Sequence, residues 1–193
     1  MGQSVSWLAF RGAEPELVRR QLGLIGTGDP GEPGEAPVVG ASLPDGWYLV
    51  VAAGCDHAIV SEDVLKLASA GGTAVGCSIE EHVMFASATL WRGGAKRWTV
   101  RHQGDLAIGD LDVSGDPPVE LEEVRRSCAV SQAGEGGEEA EVDFFFEIPV
   151  ELARGLTGFR HDALVPGSPG FEVLRAAKGG AVSRAARPWW RFW

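Results

Sequence analysis

Two triplets, Glu80-Glu81-His82 and Arg160-His161-Asp162, each set an imidazole beside carboxylates. Histidine titrates near neutrality, and an adjacent carboxylate can orient the ring and raise its basicity. Brought together, His82 and His161 with Glu80, Glu81 and Asp162 could run acid–base catalysis in a hydrolase or transferase, or hold a metal. Neither His-Glu-x-x-His nor His-x-His occurs, so no metal set and no cofactor is assigned. The competing reading is structural. Glu80 and Glu81 are then solvated strand-end charges, His82 packs by its ring, and Arg160 pairs with an acid across the surface.

Cys55-Asp56-His57 resembles thiol chemistry, since residues two apart share one face of a strand. A reactive thiol needs exposure and a depressed pKa. Cys55 follows an apolar strand, so a buried, inert thiol is expected, as for Cys77 and Cys128. Three widely spaced Cys form neither a disulfide framework nor a zinc pattern. No Gly-x-Ser-x-Gly elbow supports serine chemistry. The run Gly26–Gly31 lacks a following Lys-Ser or Lys-Thr and is rich in acid, so it is no phosphate cradle.

The other candidate binding feature is the basic, aromatic tail over 176–193, ending Arg187-Pro188-Trp189-Trp190-Arg191-Phe192-Trp193. Exposed aromatic clusters are costly, so Trp189, Trp190 and Trp193 with Arg191 call for cover. Docking on the chain's own body, a subunit or partner protein, and a membrane surface are the three ways to provide it, in that order. Arg160 joins these as a candidate binding residue.

The net charge of the 193 residues is −10, and it is uneven. Residues 171–193 hold five basic residues against Glu172, a net of +4, which leaves −14 for residues 1–170. An acidic body repels a phosphate backbone, so nucleic acid is excluded as a partner. The longest apolar stretch, Trp47–Ala53, is too short to span a bilayer. With no basic and apolar leader pattern, these features point to the cytoplasm and disfavour a membrane role.

The elements that must position these groups can be read from punctuation and period. Val5–Phe10 reads as a strand, and Pro15 opens a helix that Gly23 ends. Gly26–Ala36 has almost nothing to bury and reads as a mobile loop. Val38–Leu43 and Gly46–Ala53 are strands about a turn, and a short helix follows Ser61. Thr73–Ile79, Val83–Trp91 and Lys96–His102 are strands, the last two a hairpin at Gly93-Gly94. Val83, Phe85, Ser87, Thr89 and Trp91 share one face of the first arm, and Trp98, Val100 and His102 one face of the second. Leu106–Val113 adds a further strand, and Pro117-Pro118 opens a helix to about Val130. Val142–Ile148 is a strand or the lead-in to a helix that Gly158 ends. Phe171–Leu174 is the last strand.

The order lacks a regular β-α-β-α alternation, so Rossmann and TIM architectures are disfavoured. It predicts one α+β domain over residues 1–175, mainly an antiparallel sheet with helices on one face. A ferredoxin-like unit, or a duplication of one, is the nearest named arrangement.

Three stretches carry a resemblance: Gly46–Val51; Glu80–Phe85 running on to Trp91 and Trp98; and Ile148–Ala153 with Leu156–Asp162. They resemble a group of uncharacterised bacterial proteins with no established activity, over roughly residues 4–175. The resemblance implies a bacterial cytosolic setting and a whole-chain domain, and it carries over no catalytic residue. With no motif for chemistry, the expectation is a non-enzymatic protein-interaction module, immunity-like or regulatory. A His/carboxylate enzyme and a homo-oligomeric scaffold built on the tail are the alternatives.

Overall fold

The computed structural model describes residues 2–104, 106–163 and 170–177. The candidate residues Trp189, Trp190, Arg191 and Trp193 lie outside them. Nine strands form one antiparallel sheet in the order β2-β9-β3-β4-β1-β5-β6-β7-β8. They are β1 (Ser4–Arg11), β2 (Leu24–Gly31), β3 (Val38–Ser42), β4 (Tyr48–Ala53), β5 (Thr73–Glu80), β6 (Phe85–Arg92), β7 (Ala95–Gln103), β8 (Leu111–Gly115) and β9 (Phe171–Ala176). The helices described are α1 (Pro15–Gln21), α2 (Glu62–Ala68), α3 (Glu120–Gly134) and α4 (Glu147–Thr157).

The α+β antiparallel class expected from the sequence is the one observed. The helices, however, cover both faces of the sheet and not one. The cause lies in the central strands, which are apolar on both sides. Trp7, Leu49, Val51, Val75 and Ile79 face the back, where Leu121 and Cys128 of α3 and Ile148 and Leu152 of α4 close over them. Leu8, Phe10, Val50 and Ala74 face the front, where Val18 of α1 and Leu65 and Ala68 of α2 cover them. A strand buried on both faces needs cover on both. Gly76 makes room for α2, since a Cβ there would sit 2.9 Å from Leu65.

Strands β5-β1-β4-β3, with α1 and α2 on the front, share the strand order of a ferredoxin-like β-α-β-β-α-β unit, but β2 is inserted between α1 and β3. No duplicate follows. β6, β7 and β8 extend the sheet as a meander, and α3 and α4 then cross to the back.

Two local expectations change. The segment from Gly26, expected as a mobile loop, belongs largely to β2 and pairs with β9 through an irregular register between Gly26 and Pro30. An edge strand needs only backbone partners, so its Gly-Pro-acid composition conceals it. Glu172 fixes it, accepting from Gly28 N at 2.8 Å and from Arg19 Nη1 at 3.0 Å. Residues 144–146 form a 3-10 turn leading into α4, so the helical lead-in prevails over a strand. Gly158 ends α4 at φ 73°, as its position suggested.

Candidate functional site

Glu80 is the last residue of β5, and the strand's alternation places it on the front with Ser78. Its Oε1 lies 2.5 Å from His82 Nδ1. Burial works to raise the Glu80 pKa, but hydrogen bonds from Ser4 and His82 outweigh it and hold the carboxyl below its ordinary value. The His82 side chain is 61% exposed.

Glu81 departs in another direction, because the chain leaves the strand there in a 3-10 turn over Glu81–Val83. Its Oε2 accepts from Gln3 N at 2.7 Å, and its Oε1 lies 3.1 Å from His161 Nε2. The two triplets therefore meet, through this pair. The His161 side chain is only 2% exposed, and its Nδ1 is buried without a hydrogen bond.

The rest of the second triplet turns back on α4. Phe159, just past the Gly158 stop, is buried edge-on against Trp7 at 5.3 Å. Arg160 then reaches three carboxylates: Glu147 at 2.9 Å, Glu151 at 2.5 Å and Asp162 at 2.6 Å. Its hydrogen bonds with Asp162 hold that carboxyl below the usual range. Burial raises the Glu147 pKa in spite of Arg160.

The five proposed catalytic residues are thus divided. Glu80 holds His82, Glu81 holds His161, and Asp162 is bound by Arg160. His161 lines a hollow of about 300 Å³ whose walls are mainly Val5, Ala36, Val51 and Ala53, with Gln3 and Ser4. The one hydroxyl in that lining, Ser4 Oγ, is engaged by Cys55 N and Glu80. An oriented imidazole is present, but among the described residues no free nucleophile lines the hollow beside it.

Cys55, Cys77 and Cys128 are buried free thiols, as expected. Burial first, then Glu80 and Asp56, pushes the Cys55 thiol up to about 11, far from a reactive thiolate. Burial lowers the His57 pKa, and its Nδ1 accepts from Ile59 N.

Two features escaped the sequence reading. The first is a buried dyad. His102 is fully buried, with Nε2 2.8 Å from Asp143 Oδ2 and Nδ1 2.5 Å from the Asp110 carbonyl. Burial opposes its charge, but these two acceptors prevail and raise its pKa. The same Asp143 caps the turn before α4 through Phe145 N and Phe146 N. The signal was present: a His on the apolar face of β7, and an Asp directly before three Phe.

The second is a cleft of about 630 Å³ on the front, over β6–β8. The helices α1 and α2 stop short of this part of the sheet. Its floor is Ser78, Phe85, Ser87 and Thr99, its outer side Asp112 and Ser114, and its inner side residues 55–58, 60 and 61. Its two cations are already paired, Lys96 with Glu62 and Arg101 with Asp112 at 3.0 Å. Asp56 Oδ2, by contrast, is buried with no hydrogen-bond partner.

Among the described residues, no helix is long and apolar enough to cross a membrane, and no His, Cys, Asp and Glu cluster could hold a metal ion. Compared with protein-family models, curated proteins and solved structures, the chain matches none.

Proposed function

We propose that this chain is a cytoplasmic, non-enzymatic binding module that takes a basic, donor-rich segment of a protein partner into the front cleft. An immunity-like or regulatory role fits such a module. The observation that carries this reading is the cleft that the described residues leave open on the front of β6–β8, where the sheet offers hydroxyls to the surface. Its cations are neutralised within the chain, while Asp56 retains an unpartnered carboxylate oxygen. Buried acceptors favour a donor, and a cationic one most of all. Along the chain, residues 104–116, which lead into and form β8, hold four acids and no Lys or Arg.

The hydrolase or transferase alternative has less behind it. Only Glu81 and His161 of its residues meet across the two triplets, and the adjoining hollow presents no free nucleophile.

Selection from a random peptide library on the immobilised chain tests the proposal. It is expected to enrich sequences with Arg or Lys beside an aromatic residue. Their affinity is expected to fall at least tenfold, about 1.4 kcal/mol, in the double variant Ser87→Lys, Ser114→Lys. The added cations repel the ligand without entering the core. Absence of enrichment, or equal binding to that variant, overturns the reading.

A further inference from the structure

We propose that the partner segment assigned to the front cleft continues over its outer side and pairs, as an added strand, with the free edge of β8. The proposal takes its ligand from that assignment and its mode from the backbone of β8.

β8 is the last strand in the sheet order and is paired on one side only, to β7. The phase of its free groups is fixed. Asp116 N donates to Arg97 O at 3.0 Å, and the β7–β8 register runs without a shift from there to the pair His102 and Leu111. Residues directly opposite one another in an antiparallel ladder alternate between hydrogen-bonded and non-bonded pairs. Asp112 and Ser114 therefore turn their N–H and C=O groups to β7. Leu111, Val113 and Gly115 turn theirs outward, as a row of donors and acceptors that calls for partners.

The two edges of the sheet differ. At the other end, β2 is broken by Pro30 and by a register shift between Gly26 and Pro30, features that stop a further strand from pairing. β8 contains no proline and no shift, and Asp112–Gly115 are exposed. An extended peptide adds to an edge of this kind through its main chain.

Charge decides the occupant. Asp110 and Asp116 flank β8, and among the described residues neither is in an ion pair, whereas Asp112 holds Arg101. The cations of this region, Arg97 and Arg101, stand one strand further in, on β7. A second copy of β8 is repelled. In two-fold antiparallel pairing with Val113 opposite Val113, Asp110 faces Asp116 of the other copy. The neighbouring bonded registers set Asp112 opposite Asp112, or Asp112 opposite Asp116. Like charges directly opposite destabilise a strand pair. A strand with Lys or Arg opposite these acids meets attraction instead. At the intervening positions Leu111 packs on the back core, and Val113, opposite Val100, is 39% exposed. The matching strand is therefore basic and apolar in alternation. Asp112 and Ser114 also form the outer side of the cleft, so such a strand is continuous with an occupant of it.

The test is amide hydrogen exchange on the full chain, with and without a library-selected basic peptide long enough to cover the cleft and β8. In the free chain Leu111, Val113 and Gly115 are expected to exchange faster than Asp112 and Ser114. Bound peptide is expected to slow exchange at those three by about tenfold or more. Methylating the peptide's backbone nitrogens one at a time is expected to weaken binding about tenfold at every second position and little between. Val113→Pro removes an outward N–H and no bond to β7, and is expected to weaken binding as much. Should that variant fail to fold, the methylated peptides on the wild-type chain decide. A peptide that perturbs the cleft without slowing exchange at Leu111, Val113 and Gly115, or without the two-residue period, overturns the added strand and leaves the cleft. Failure of any peptide to bind overturns both. Slow exchange at these three residues in the free chain also overturns the proposal. If it depends on protein concentration, a second copy holds the edge; if it persists on dilution, the chain's own backbone does.

Discussion

Strands β1, β4 and β5 carry apolar side chains on both faces, and helices close over both. Strands β6 and β7 carry most of theirs on the back; on the front, Phe85 and Trp91 stand towards the two ends of β6, with Ser87 and Thr99 in mid-strand. The ladder runs through both regions, β5 on β6 and β6 on β7, with one register shift between Leu90 and Trp91. Backbone pairing therefore does not distinguish a surface that is finished from one that is open. The side chains do: where alternation brings hydroxyls forward, the sheet needs water or a polar partner, not a helix. The front of β6–β8 is thus matched to a polar occupant rather than missing part of a core.

That contrast can be broken or sharpened by substitution. The largest effect is expected on the doubly covered side. Trp7 is fully buried and packs on Phe159, so Trp7→Ala is expected to cost about 3–5 kcal/mol in urea unfolding.

Next comes the dyad that ties the back of β7 to the turn before α4. Removing one partner of a buried pair leaves the other unmatched, so Asp143→Asn is expected to cost about 3 kcal/mol. The pH dependence has a definite sign. The folded His102 binds its proton more tightly than the unfolded ring, whose ordinary value is near 6.5. Its contribution is fully present below that value and is lost as the pH rises through the higher folded value. Urea midpoints at pH 6 and pH 9 are expected to diverge in the wild type, and to converge in Asp143→Asn. An unchanged divergence would assign it to other groups.

Glu81→Gln weakens a half-buried contact to His161 and is expected to cost about 1 kcal/mol. It is expected to leave peptide binding at the front unchanged. A loss of binding would move the functional surface to the Glu81–His161 pair. The smallest effect belongs to the open region itself. Ser87→Ala is expected to alter stability by no more than about 0.5 kcal/mol. A large loss there would mean that the front of β6 is sealed rather than open.

The legible parts of the fold were those in which the local pattern and the global need agree. The β6–β7 hairpin and the faces of its two arms follow from alternation around Gly93-Gly94. The end of α4 follows from Gly158, which adopts the left-handed turn that residue permits. β2 was hidden because its partner, β9, lies far along the chain and contributes backbone rather than a hydrophobic match. The double-sided cover was legible in part, since Val50, Val51 and Ala52 run apolar without a break.

The candidate site divides along similar lines. The meeting of residues 81 and 161 rests on tertiary placement, though both triplets stand out in the sequence. Their separation into pairs was more accessible, because Glu80 and Glu81 are consecutive residues at a strand end and diverge for that reason. The cleft was not legible. It joins residues 55–61 to strands from Ser78 to Ser114 through the sheet order, and no spacing encodes that.

The most direct measurement is a map of backbone amide shifts as a selected basic peptide is added to the chain. The account expects perturbations centred on Asp56, Ser78, Ser87, Thr99 and Ser114, with the α3–α4 face unaffected. Perturbations centred instead on Glu81 and His161, or on the outer surface of α3, would contradict it.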